Sequence, residues 1–372
     1  MLLLRIAASA LCLGLSLTAQ TSFSDLYREV LSERRELMRS SPERPTPAKV
    51  QELDRRHADR IEKWLERGPN GGDAANGRFL LVSIYQRLGQ DEEAETTLTD
   101  LDVARTPPFE LLVAARQAER LGLDDKREAW ITEAIERPAP FEERARVATY
   151  LMTVLVEIDR GEAIFTSEFE KARDDEERAR VRYYRCAAIR EREDLPEGSY
   201  DTALEELGET YPDTYWGGIA KDRVRALGFQ PGDPAILFES STLDGETFRL
   251  ADQAGRHVLL EFWSEHDETD QAVVRRLRAI REQFAESGLQ VVSVQLEKDE
   301  KTARESTRAS GRTWPQVWDG RGWETDVALR YAIEQVPFYI LIDGEGRIVT
   351  TRIYLQDEAG AADLRRLLDE RL

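Results

Sequence analysis

Cysteine, histidine and long apolar runs are all scarce in this sequence, and its 52 basic residues are outnumbered by 72 acidic ones. Its 372 residues include two cysteines, Cys12 and Cys186, and three histidines, His57, His257 and His266. His57 and His257 stand alone, without the short ligand spacings of a zinc site, so neither a metal nor another cofactor is expected. Beyond the N-terminus no stretch approaches the ~20 apolar residues that a membrane helix needs, and no transmembrane span is expected in the mature chain. The net charge is −20. That field repels polyanions and argues against a nucleic-acid partner. What remains is a chain with 41% hydrophobic residues, long enough for roughly two to three domains.

The N-terminus opens with a short basic start, Met1 to Arg5, followed by an apolar run through Leu17 and then Thr18-Ala19-Gln20. This pattern reads as a secretory signal peptide over 1–20, with cleavage after Ala19 and an extracytoplasmic (periplasmic or secreted) mature protein; a retained anchor is the alternative. Cys12 lies inside the run behind Leu11, which is not the place of a lipidated cysteine. Removal of the leader leaves Cys186, and one thiol cannot form an internal disulfide even where the compartment would permit it. Cys186 sits in Tyr183-Tyr-Arg-Cys-Ala-Ala-Ile189, on the expected packed face of a helix, where a small structural cysteine is the ordinary reading.

Residues 22–228 read as successive helices. Thr46-Pro47 marks a helix start that runs to Glu66. Phe79, Leu80, Ile84, Tyr85 and Leu88 keep helical spacing up to Gly89, and Leu111, Leu112, Ala115, Ala118 and Leu121 do so up to Gly122. Arg87-Leu-Gly89 recurs as Arg120-Leu-Gly122, a shift of 33. Ala94, Ala129, Ala163 and Ala203 fall early in second helices. A period near 34 resembles tetratricopeptide repeats. Leu81, Tyr85, Gly89, Ala94 and Leu98 keep the best unit, and Tyr211-Pro-Asp-Thr-Tyr215 resembles a repeat junction. The competing reading is an irregular helical array without a groove. Gly228-Phe-Gln-Pro-Gly-Asp-Pro234 breaks the helical pattern, which gives a helical repeat domain over 22–228, a linker over 229–234 and a second domain over 235–372.

In that second domain, strands are predicted at 258–263, 289–296, 338–342 and 347–353. Helices are predicted from Asp267 to Phe284, near 299–309 and 323–333, and over 358–371. This order predicts an α/β domain with a central mixed sheet and helices on both faces. The segment resembles thioredoxin-fold redoxins of the TlpA/ResA or AhpC/TSA type. The resemblance rests on Pro231-Gly-Asp-Pro-Ala235, the hairpin-like Leu243 to Leu250, the aromatic pair Phe262-Trp263, Val336-Pro337-Phe338 at the family's cis-proline, and the closing turn Leu341 to Gly346.

The same resemblance exposes what is missing. The family's Cys-x-x-Cys follows the aromatic pair, and alignment there puts Asp267 and Asp270 on the two cysteines. Disulfide exchange needs a thiolate to attack and a second thiol to resolve, and a carboxylate can do neither. Asp267 at a helix start and Asp270 three residues on can instead cap the helix, since its free N–H groups favour an anion. Glu261 aligns with the buried acid that some thioredoxins use as a proton shuttle, and strand alternation puts it on one face with Leu259 and Trp263. Glu261, Glu265, Asp267, Glu268 and Asp270 crowd five carboxylates together, so a hard-cation site is one alternative. His266 has no thiol, serine or second histidine beside it and reads as a loop residue. The resemblance implies a docking surface through Trp263, His266, Val336 and Pro337. The expected function is a non-catalytic adaptor or chaperone-like binder with a protein or peptide partner. The alternatives are a thiol-disulfide oxidoreductase acting without the usual motif, or a cation-binding module.

Overall fold

The computed structural model describes residues 22–40, 45–265 and 271–372. The signal peptide expected over 1–20 lies outside the described residues. The chain divides into two compact units that meet between Lys171 and Ala172.

The first unit is helical: α1 (Phe23–Ser40), α2 (Pro47–Leu65), α3 (Gly71–Leu88), α4 (Asp91–Thr99), α5 (Pro108–Arg120), α6 (Asp124–Glu136), α7 (Phe141–Thr153) and α8 (Ile158–Lys171). Thr46 is the N-cap of α2 and Pro47 occupies its first turn, but the threonine hydroxyl makes no capping bond. Gly89 ends α3 at φ 72 and Gly122 follows α5 at φ 72, both in the left-handed region where glycine has no Cβ penalty. Within this unit α3 packs on α4, α5 on α6 and α7 on α8, while α3 also touches α5 and α5 touches α7. The alanine repeat does not describe this packing: Ala94 is buried, but Ala129 and Ala163 are exposed. The fourth residues of α4, α6 and α8 are Ala94, Arg127 and Gly161. Gly161 is where two helices close up, since a Cβ there would lie 2.3 Å from Met152 Cγ.

The second unit opens with α9 (Asp175–Arg190), α10 (Ser199–Thr210) and α11 (Tyr215–Leu227). The hairpin β1 (Glu239–Ser241) and β2 (Thr247–Arg249) follows. Then come β3 (His257–Trp263), α12 (from Gln271 to Phe284), β4 (Leu289–Gln295), α13 (Glu300–Ser310), β5 (Gln316–Val317), α14 (Asp326–Arg330), β6 (Phe338–Ile342), β7 (Ile348–Thr350) and α15 (Glu358–Asp369). The sheet order is β5-β4-β3-β6-β7. Central β3 runs parallel to β4 and antiparallel to β6, the mixed sheet expected. Strand alternation divides its core in two. Val258, Leu260 and Phe262 join Val327 and Ala328 of α14 and Phe238 and Phe248 beside the hairpin. On the opposite face Leu259, Val291 and Leu341 pack against α12 and α15 through residues such as Leu277, Ile280 and Leu364.

Three expectations change. The compact unit containing the sheet starts at Ala172, so α9–α11 belong with it and not with the preceding helices. Residues 229–234 are not a free linker: Gly232 N donates to Ile348 O (2.8 Å), Ile348 N donates to Asp233 O (2.8 Å), and Ala226 and Phe229 pack against the sheet's core. The helix expected over 323–333 is a short 3-10 turn at Gly322–Glu324 followed by the five-residue α14. Extended Thr325 separates the two, and Ala332, at φ 53, turns the chain behind α14. The two-residue β5 carries no periodic signal of its own.

Candidate functional site

Burial along β3 makes Glu261 unusual. The acid lies in register between Ser293 of β4 and Tyr339 of β6 and is fully buried. A carboxylate in that position needs compensation, because an isolated buried charge is severely penalised. Arg312 supplies it. Gly311 caps α13 at φ 72 and reverses the chain. Arg312 Nε then donates to Glu261 Oε2 (3.1 Å) and Nη2 to Oε1 (2.8 Å), with both side chains at 0% exposure. This two-pronged geometry is the strong form of a carboxylate–guanidinium pair. The guanidinium also lies over the Trp263 ring, 3.8 Å from its centroid.

The pair is the centre of a polar network within the sheet's core. Ser293 Oγ donates to Glu261 Oε2 and accepts from Trp314 Nε1 at 2.7 Å. Trp263 Nε1 donates to Gln316 Oε1 (3.1 Å), and Gln316 Nε2 donates to Trp314 O (2.9 Å). Across the sheet, burial, followed by the charge of Glu261, pushes the Tyr339 phenol well above its ordinary range. Trp263 was expected at a docking surface. It is 2% exposed and sandwiched into this network, so it supports the site from below and offers no contact face.

The loop that leaves β3 is anchored at its start, where Glu265 N donates to Glu297 Oε1 (2.8 Å). Glu297 itself is buried, and its carbonyl accepts from Trp318 Nε1 (2.6 Å). His266, Asp267 and Asp270, with the helix cap expected of the two aspartates, lie outside the described residues. Val336 and Pro337 are half-buried and joined by a cis peptide bond. The segment before them is gripped by the helices of the same unit. Arg223 of α11, itself buried, donates to Leu329 O (3.0 Å) and to Glu334 Oε1 (3.1 Å). Arg190 of α9 reaches the same Glu334 oxygen at 2.9 Å.

Cys186 is buried in α9, among Leu204, Leu207 and Tyr211, and burial pushes its thiol up to about 12. Among the described residues no group of three or more His, Cys, Asp or Glu side chains is arranged to hold a metal ion, and no helix is long and apolar enough to cross a membrane.

Residues 231–351 match the model of the AhpC/TSA family. The segment has a thioredoxin-like fold and is similar to that family. Thiol-disulfide oxidoreductase ResA of Halalkalibacterium halodurans is 26% identical over 136 residues, 37% of this chain and 74% of that protein. Thioredoxin-like protein YneN of Bacillus subtilis is 29% identical over 138 residues, 36% of this chain and 78% of that protein. Among solved structures, the thioredoxin domain of a thiol-disulfide oxidoreductase from Bacteroides vulgatus aligns with 38% of this chain and 97% of its own, at 23% identity and a TM-score of 0.34.

Sequence reasoning found Glu261 but not its partners. Arg312 and Ser293 are residue types that normally face solvent, and no local spacing marks them as interior. The one usable signal is Gly311, which ends α13 and turns the chain so that its neighbour can enter the core.

Proposed function

We propose that this protein is an extracytoplasmic, non-catalytic adaptor or chaperone-like binder whose redoxin domain has lost dithiol chemistry. The observation that carries this reading is the thiol inventory. Outside the proposed leader the sequence holds one cysteine, and Cys186 is buried with its thiol pushed up to about 12. Disulfide exchange requires an accessible thiolate and a second thiol; Asp267 and Asp270 stand where the resemblance calls for cysteines. The buried acid supports the same reading, because Glu261 is bonded by Arg312 and Ser293 within a closed network. Binding would use the edge around Val336 and Pro337; the resemblance adds His266 to that surface. The preceding helices, in tetratricopeptide-like stacked pairs, would supply a second surface, as helical solenoids do. The proposed signal peptide over 1–20 would take the chain out of the cytoplasm, where a protein or peptide partner would be met.

Affinity capture from the envelope fraction, with the chain lacking 1–20 as bait, tests the binding claim. One partner in near-stoichiometric amount, retained in the presence of dithiothreitol, is the expected result. A partner released by reductant would mean a mixed disulfide through Cys186, and the absence of any stoichiometric partner would refute the adaptor reading.

A further inference from the structure

A cavity of about 440 Å³ lies between the β1–β2 turn, α13 and the segment leading into β5. Its size falls within the range of small-molecule sites, roughly 300–1,000 Å³. Arg304, Thr307 and Arg308 line one wall, and their spacing of three and four residues places them on one face of α13. Arg304 is committed to the protein: its Nε donates to Glu300 (2.8 Å) and its Nη2 to Leu243 O (2.5 Å), which ties the helix to the turn and sets the width of the cavity. Arg308 is exposed and has no ion-pair partner among the described residues. Asp244 and Glu246, which also line the cavity, are exposed carboxylates in the same condition. Two of the lining residues, Thr307 and Arg312, carry buried groups without a hydrogen-bond partner, Oγ1 and Nη1 respectively.

We propose that this cavity binds a zwitterionic molecule of dipeptide size. Its carboxylate pairs with Arg308, and its ammonium group with Asp244 and Glu246. Charges of both signs in one lining select against a simple anion, which would meet the two carboxylates, and against a simple cation, which would meet the guanidinium groups. The proposal is independent of the redox state of the domain.

Isothermal titration of the chain lacking 1–20 with dialanine, N-acetyl-dialanine and dialanine amide tests it. Dialanine should bind saturably. Blocking either terminus, or introducing Arg308→Ala or Asp244→Asn with Glu246→Gln, should weaken binding by about tenfold or more. These positions are exposed, so the variants keep their fold, which circular dichroism checks. No saturable dialanine binding, binding unchanged in both variants, or N-acetyl-dialanine binding as tightly as dialanine would each overturn the proposal.

Discussion

Arg312→Leu should destabilise the thioredoxin-like domain by about 3–5 kcal/mol, the cost of leaving a buried charge without its partner. Glu261 would stay at 0% exposure with Ser293 as its remaining polar contact among those described here, and Trp263 would lose the cation stacked at 3.8 Å. Replacing both members should hurt less than replacing one. Glu261→Leu with Arg312→Leu removes charge and counter-charge together, and such exchanges are often close to neutral when the apolar side chains pack. A double-mutant cycle from urea denaturation, followed through Trp263 and Trp314 fluorescence, measures the coupling. A loss below about 1 kcal/mol for Arg312→Leu would place the pair in water and contradict the burial described here.

Arg223→Ala should cost about 2–4 kcal/mol, because one buried guanidinium donates three charge-assisted hydrogen bonds. Besides Leu329 O and Glu334 it bonds the Tyr200 hydroxyl at 2.9 Å. The loss should be local. Hydrogen exchange over 329–336 should accelerate more than exchange over β3 and β4, since the variant releases the segment leading to Val336 and Pro337. Arg190→Ala is the control: that side chain is 36% exposed and its pair with the same glutamate should contribute less than about 1 kcal/mol. Equal effects of the two substitutions would mean that α11 does not hold this segment.

The sheet was legible because hydrophobic runs such as Val258 to Trp263 and Phe338 to Ile342 have few other solutions. The helix ends at Gly89 and Gly122 were legible because glycine marks left-handed turns. Packing between helices was not. Ala94, Ala129 and Ala163 share a sequence period, yet α6 and α8 rotate their alanines outward, and a period cannot report rotation about a helix axis. The domain boundary failed for a related reason. Gly228 to Pro234 does interrupt the helix, but the turn it makes folds back on the Ile348 strand, and its prolines say nothing about the contacts on either side. At the site, Glu261 was found through the family resemblance, while the partner that defines its chemistry lies 51 residues further on and is visible only in three dimensions.

Catalysed reduction of insulin by dithiothreitol tests the central claim most directly, comparing the chain lacking 1–20 with its Asp267→Cys/Asp270→Cys variant. The unsubstituted chain should leave the rate at that of dithiothreitol alone, and the variant, with two thiols at the aligned positions, should raise it. Acceleration by the unsubstituted chain that disappears on Cys186→Ser would contradict the account, because the thiol assigned here to the packed face of α9 would then be the nucleophile.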